Sequence, residues 1–371
     1  MRHIYCRAQV NLISYQPTVI LYRLHGLIYA IAVFCLGLAA CQPLAAKPAV
    51  TPPPMETAVV FVTVTPEGQP VSATGTSTLE PRNTPSPTTT STLVPASPTA
   101  TATPIPALPS NPLGSVMVLE YHLIGTPEGR WQRTPDKFRE DITRLRELGY
   151  TPANIIDLTL GFPHLPPGKK PVVLTFDDSD ISHFRLLPDG AIDPDSAVGI
   201  LDAFHSQHPD DWPLRATFYV LQDVDAPERI LFGQPELADD KLRWLVEQGF
   251  EVASHTISHF DLATGTDEQV QWQLAVSQRQ LENRLPGYQI RSLSLPFGSY
   301  PQNEALLAQG VWEEQPYTYA NAVMVAGGAA PSPHSPDFDP YHIPRIQAIQ
   351  NEIDYWLAYF EQNPELYYVS E

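Results

Sequence analysis

From Val116 onward the chain alternates two patterns of apolar residues. Short unbroken apolar runs read as buried strands: Val116 to Tyr121, Pro171 to Phe176, Ala216 to Leu221, Glu251 to Ala253, Leu293 to Pro296, Tyr317 to Val325 and Ile343 to Ile349. Between several of them the apolar residues recur at helical spacing. Phe138, Ile142, Leu145 and Leu148 fall on one face of a helix over Pro135 to Leu148, with Thr134 as N-cap and Pro135 at its first position. Asp193-Pro194 opens a second helix running through Ala203 and Phe204. Leu237 to Gln248 forms a third, stopped by Gly249. Thr266 and Gln269 have the spacing of a capping box at the head of a fourth, which ends at Leu285. Strands alternating with helices over residues 113–371 predict one α/β domain with parallel strands in a barrel.

Two segments precede this domain. Leu27 to Ala40 is a run of 14 residues without a charge, preceded by Arg23 and His25. It is short for a membrane span, which needs about 20 residues, and has the length of a signal-peptide hydrophobic region. Its end, Leu38-Ala39-Ala40-Cys41, resembles the lipobox of bacterial lipoproteins. That resemblance implies cleavage before Cys41, lipidation of Cys41, and an extracytoplasmic protein anchored to the membrane by lipid. Residues 42–112 are rich in Pro, Thr, Ser and Ala, and take a large share of the 40 prolines. Such a stretch has too little apolar surface to offset ordering entropy, which predicts a disordered linker.

Charge and cysteine count narrow the chemistry. Residues 113–371 hold 17 of the 22 Lys and Arg but 38 of the 41 Asp and Glu, a net of −21. A surface of that sign repels nucleic acid. The three cysteines, Cys6, Cys35 and Cys41, all precede residue 42. The domain therefore has no disulfide and no thiolate, and a metal there must be held by His and carboxylate.

Candidate chemistry sits just after two of the strands. Thr175-Phe176-Asp177-Asp178 follows Val172-Val173-Leu174 and puts paired carboxylates at the C-terminal end of a strand, where barrels of this kind do chemistry. A turn or helix cap would use the same residues. His255-Thr256-Ile257-Ser258-His259 follows Glu251 to Ala253. Histidines at i and i+4 share one face of a helical turn, as in His/His zinc sites. One carboxylate with two imidazoles leaves positions open for water and substrate.

These motifs, followed by Pro296-Phe297-Gly298, resemble the polysaccharide deacetylases of the NodB-homology type, carbohydrate esterase family 4. Val118-Leu119-Glu120-Tyr121-His122 and Arg215-Ala216-Thr217-Phe218-Tyr219-Val220 extend the resemblance across about residues 115 to 350. It implies a distorted, incomplete (β/α) barrel and a metal-dependent hydrolase acting on carbon–nitrogen bonds of an N-acetylhexosamine polymer, or on acetylated xylan. It makes Asp177 the general base. Asp178, His255 and His259 become ligands of a divalent metal, usually zinc. Pro296, Phe297 and Gly298 line the substrate groove, with a loop N–H for the developing oxyanion. His122 is a further candidate for the groove. The implied partners are a polysaccharide and, through the lipid, a membrane, for a monomer.

Two features depart from the family pattern. Many members have an Arg two residues before the Pro of the third motif; here it is Ser294, and Arg291 stands too early. Many carry a late Leu-x-His, and here the late histidines are only His334 and His342. These departures lead to the expectation that Asp177 is poorly oriented, and keep open a glycan-binding lipoprotein without catalysis. Ser179 stands where Gly is common. Trp131, Trp212 and Trp244 are candidates for sugar stacking, with core packing as the alternative. Ser182 to Asp195 is a candidate lid over the groove, with a plain loop as the alternative.

Overall fold

A computed structural model describes residues 108–371. The expected leader with Cys41, and the linker up to residue 107, lie outside the described residues. Pairing of the folded part begins at Asn111, whose N–H and C=O bond Val369 at 2.9 and 3.0 Å, slightly earlier than the sequence boundary at 113.

Eight parallel strands make the central sheet: β1 (Met117–Tyr121), β2 (Tyr150–Ala153), β3 (Lys170–Phe176), β4 (Thr217–Val220), β5 (Glu251–Ser254), β6 (Ser292–Ser294), β7 (Asn321–Gly327) and β8 (Ile343–Gln347). Their order is β1-β8-β7-β6-β5-β4-β3, and β3 pairs back onto β1, so seven strands close into a barrel. On one edge β3 pairs β1, Met117 opposite Val172 through Tyr121 opposite Phe176. On the other edge β2 takes residues 170–173 and β4 takes 175–176. The ring is thinnest between β5 and β6, joined through Ser254 and Leu293 alone, and the β7–β8 register shifts between Val323 and Gly327. These irregularities are the distortion that the resemblance implied.

Helices α1 (Pro135–Glu147), α3 (Ala197–Gln207), α4 (Ala238–Gln248) and α5 (Asp267–Arg284) lie outside the strands, with α2 (Ile155–Thr159) and α6 (Gln350–Gln362) not foreseen from the sequence. Thr134 caps α1, the Thr266–Gln269 box caps α5, and Gly249 ends α4 at φ 99°, a conformation that glycine adopts at little cost. The segment 317–325 splits: Gln315–Thr318 pairs antiparallel with Gln309–Trp312, and only Asn321–Gly327 joins the barrel.

The two-residue period of each strand divides the core. Leu119, Leu174, Phe218, Val252, Leu293 and Ile346 face the helices in one buried cluster. Val118, Val173, Tyr219, Ala253, Val323 and Ile343 belong to a second cluster inside the barrel, shared with Ile155 and Leu158 of α2. Helix α2 is therefore a plug in the barrel's N-terminal end. Polar groups fix it there: Ile155 N–H donates to Thr217 Oγ1 at 2.9 Å, Ile156 N–H to Glu251 Oε2 at 3.0 Å, and Asn321 Nδ2 to Thr159 Oγ1 at 2.9 Å. Toward the C-terminal ends of the strands the inward positions turn polar yet stay buried: Glu120, Thr175, Asp177, Ser294 and Arg345. A buried polar layer must satisfy itself, and this one lies beneath the site.

Candidate active site

Asp177 and Asp178 leave the end of β3 in different directions because the backbone turns at once into positive φ, 78° at Asp178 and 43° at Ser179. Neither residue is glycine, so the turn needs outside support. Ser179 supplies it from a buried position. Its hydroxyl donates to the Arg229 carbonyl at 2.6 Å and accepts from Leu221 N–H at 2.9 Å, while Phe232 N–H donates to the Ser179 carbonyl at 3.0 Å. The serine at a position where Gly is common thus ties the Asp pair to the loop after β4.

Asp177 is buried inside the barrel and Arg345 of β8 grips it with two parallel bonds, Nη1 to Oδ1 at 2.8 Å and Nη2 to Oδ2 at 2.7 Å. Ser294 Oγ donates to the same Oδ2 at 2.9 Å. The rest of the guanidinium is also committed, to Met324 O, Thr175 Oγ1 and Ser294 Oγ. A bidentate, charge-assisted pair fixes both position and orientation. Burial pushes the Asp177 carboxyl up, but Arg345 outweighs it and holds the group below the usual carboxylate range. The expectation of a poorly oriented Asp177 is therefore wrong. The guanidinium comes from a strand two places beyond Ser294 in the ring, and Ser294 is itself a partner of the carboxylate. Arg291 is exposed, beside a separate surface cavity lined by Gln278 and Pro316.

Asp178 Oδ1 lies 3.4 Å from His255 Nε2 and 3.5 Å from His259 Nε2. Ligand atoms at such separations match the edges of a tetrahedron with bonds of about 2.0–2.2 Å, the range for zinc with His and carboxylate. His255 Nδ1 lies 3.0 Å from the Ser294 carbonyl, to which it donates; burial lowers its pKa but Asp177 and Asp178 outweigh that and raise it, and in the neutral ring that a metal requires Nε2 carries the lone pair facing the cluster. Burial, helped by neighbouring His255, lowers His259 to about 4, which keeps its imidazole neutral. The donor set thus fits a divalent ion in charge, spacing and tautomer. The two histidines do not sit on a helix. They bracket a turn with positive φ at Thr256 (66°) and His259 (55°). Gln273 of α5 stabilises that turn, its Oε1 accepting from Ile257 and Ser258 N–H at 3.1 and 3.2 Å.

Glu120, His122 and Asp177 also come within ligand reach of one another. They do not make an equivalent donor set, because both Asp177 oxygens are taken by Arg345 and Ser294.

Asp177, Asp178, His255, His259, His122 and Phe297 line one open cavity of about 510 Å³. Leu295 and Val325 form part of its apolar wall. Phe297 is 64% exposed and packs edge-on against His259, with ring centroids 4.5 Å apart. Pro296 is buried beneath it, and a Cβ at Gly298, φ 66°, would come within 3.2 Å of Val325. His122 packs its ring on Trp131 at 4.6 Å, and its Nε2 lies 3.8 Å from Glu120 Oε1. Trp131 lines the cavity, whereas Trp212 is buried and Trp244 packs against the core. No residue of 182–195 lines it. His183, Phe184 and Asp193 of that segment are buried while Pro188 to Ala191 are exposed, so it is a loop packed at its two ends and set apart from the cavity. His334 and His342 lie away from the cavity, beside Tyr368 and Tyr300.

Sequence reasoning missed two more arginines here. Arg229, on the loop after β4, contacts Asp178 Oδ1. Arg130 lines the cavity next to Trp131. A lone arginine on a loop has no sequence signature, so neither was recoverable from spacing. Arg345 did leave one: it is the lone charge, at an inward position, of an otherwise uncharged strand.

Residues 164–311 match the family model described as polysaccharide deacetylase. A chitooligosaccharide deacetylase of Bradyrhizobium sp. (strain ANU 289) is 30% identical over 159 residues, 41% of this chain and 60% of that protein. The chain thus spans 60% of the length of that curated relative. Among solved structures, a polysaccharide deacetylase from Bacillus cereus shares 20% identity, with 66% of this chain and 69% of that one covered at a TM-score of 0.49. A Streptococcus pyogenes deacetylase in complex with acetate shares 19%, with 66% and 98% covered and a TM-score of 0.48.

Proposed function

Because the chain carries a domain of the polysaccharide deacetylase family, NodB-homology type, we propose that it hydrolyses acetamido groups on a polysaccharide, an N-acetylhexosamine polymer of the cell envelope or its surroundings. The observation that carries this reading is the separation of two adjacent carboxylates into two environments. Asp178 stands with His255 and His259, and Asp177 stands with Arg345 and Ser294. A site that only bound glycan would have no use for a carboxylate gripped in this way.

Asp178, His255 and His259 would hold a divalent ion, zinc by the nature of the donor set. A bound ion of that kind polarises a carbonyl and brings the pKa of its water from about 15.7 towards 7. Asp177 is ionised at neutral pH, since Arg345 outweighs the effect of burial and stabilises its charge. It accepts the proton that the attacking water gives up. Arg345 and Ser294 fix the carboxylate at the cavity wall, and Oδ1, with one partner against two on Oδ2, is the oxygen with room to accept. Water adds to the acetyl carbon, the carbon–nitrogen bond breaks, acetate leaves and the sugar amine takes a proton. His122 is the remaining imidazole on the cavity wall and would deliver that proton. Of the N–H groups at 295–299, those of Leu295, Gly298 and Ser299 donate within the fold, and Pro296 has none. Phe297 N–H is left to meet the developing oxyanion.

A non-catalytic glycan-binding role draws its support from an absent guanidinium and an absent late histidine; Arg345 stands in the first place, while His334 and His342 stay away from the cavity and leave the second to His122 in this proposal. The Leu38-Ala39-Ala40-Cys41 pattern supports export and lipid anchoring at Cys41, with residues 42–112 as tether. The test is acetate release from chitin oligomers by the full chain, with zinc and after chelation. Zinc-dependent release supports the proposal, and release that is unaffected by chelation overturns the metal assignment.

A further inference from the structure

Arg130 and Trp131 sit at the tip of a closed two-residue turn. Gly129 and Gln132 pair across it, N–H to O at 2.8 Å and 3.3 Å, and the Trp131 carbonyl accepts from Leu123 N–H at 2.9 Å. The turn is therefore fixed in place on the cavity wall. Trp131 is 40% exposed and rests on His122. The Arg130 guanidinium lies over the Trp131 ring, 4.7 Å from its centroid, a contact that holds the cation at the cavity while leaving its N–H groups free.

Arg130 differs from most arginines of the domain in its lack of a carboxylate partner. The described residues carry an excess of 21 acidic side chains, and most of their arginines are paired with carboxylates. Among the described residues Arg130 has no carboxylate within 4 Å. The nearest acid in sequence, Glu128, is turned away, with Oε1 on Arg133 Nη1 at 2.6 Å and Oε2 on the Thr134 N–H at 2.9 Å. Arg229, which follows β4, brings a second guanidinium to the same cavity. Strands β1 and β4 flank β3, so the two cations arise on either side of the Asp177–Asp178 pair. Counting Asp177 and Asp178 against Arg130 and Arg229, the walls are balanced, and a bound dication would make the site positive within a negative domain. Such a field attracts anions, and a cation without a carboxylate partner is free to contact them.

We propose that the Arg130–Trp131 turn is an anion subsite, and that the glycan deacetylated here carries an acidic group, carboxylate or phosphate, beside its acetamido sugar. Trp131 offers a face to the sugar ring and Arg130 a two-pronged donor to the acid. This rests on the deacetylase reading of the site for its turnover arm, but its binding arm is independent of that reading.

The experiment uses the full chain, Arg130→Gln and Arg130→Lys. Acetate release is compared on chitotetraose, on oligomers alternating N-acetylglucosamine with glucuronic acid, and on phosphorylated chitotetraose. Binding of the same three glycans is followed by calorimetry at low and high salt. The wild type should favour one acidic glycan over chitotetraose about three- to tenfold in kcat/KM and in Kd, the scale of a partly exposed charge-assisted contact. The preference should weaken with salt. Whether glucuronate or phosphate is preferred identifies the acid. Arg130→Gln should bring the ratio close to one, and Arg130→Lys should keep part of it. Equal use of neutral and acidic glycans by the wild type, or an unchanged ratio in Arg130→Gln, overturns the subsite. Arg130-dependent binding of an acidic glycan without acetate release from any substrate would uphold the subsite and sink the deacetylase reading instead.

Discussion

Arg345 on β8 forms a bidentate pair with Asp177 at the end of β3, with N–O distances of 2.8 and 2.7 Å, across the closed interior of the barrel. Strand β1 lies between β3 and β8 in the ring, and its Glu120 approaches the same guanidinium at 3.4 Å. Both charges are wholly buried, so each depends on the other. Replacing Arg345 with Met should leave Asp177 ionised without a partner and cost about 3–5 kcal/mol of stability. Urea unfolding of Arg345→Met measures this. The double variant Asp177→Asn/Arg345→Met should recover much of the loss, and failure to do so would mean the arginine acts mainly through Glu120 or through packing.

Arg345→Lys keeps the charge but not the fork. Its fold should survive better than that of Arg345→Met, while acetate release falls by about 10²-fold, the scale of a misaligned reacting group. Rates close to wild type would show that the orientation of Asp177 does not limit turnover.

The division of labour between the adjacent carboxylates is open to direct measurement. His259→Ala and Asp178→Asn should lose bound zinc by elemental analysis, together with turnover. Asp177→Asn should keep its zinc and lose about 10²–10⁴-fold in rate, the usual worth of a general base. Equal metal loss in all three would erase the distinction.

Arg229 shares Asp178 Oδ1 with any ion held there. A guanidinium in contact with a ligand oxygen both competes with and repels a dication. Arg229→Gln should therefore bind zinc several-fold more tightly in a chelator competition. Weaker binding would show instead that Arg229 acts to position the carboxylate.

Glu251, buried at the barrel's plugged end, carries a pKa raised by burial to about 7, against an ordinary value of 4.5. Its contribution to stability is fully present below about 4.5 and is lost as pH rises through 7. A Glu251→Gln variant should lack this loss. The difference in unfolding free energy between variant and wild type should grow by roughly 2–3 kcal/mol between pH 4.5 and pH 8. A difference independent of pH would place the ionised carboxylate in a better-solvated setting.

The motifs legible in the sequence are those whose residues are neighbours along the chain. Asp177-Asp178 and His255-x-x-x-His259 follow apolar strands, and a strand end in a parallel barrel is where side chains meet. Capping at Thr134 and Thr266 and the stop at Gly249 are local, since each depends on a single turn of backbone. What the sequence could not settle are contacts made across the barrel. Arg345 is 168 residues from Asp177, and only the ring order brings them together. Helix α2 is too short to show a period, and its position inside the barrel follows from the bonds of Thr217, Glu251 and Asn321, on three separate strands. The His255–His259 spacing suggested a helical turn, but positive φ at Thr256 and His259, fixed by Gln273 from α5, gives a loop that gathers the same ligand atoms. Local chemistry is determined by sequence because its free energy is local. Which charges face one another in a buried interior is decided by strand order, because only closure of the barrel sets those distances.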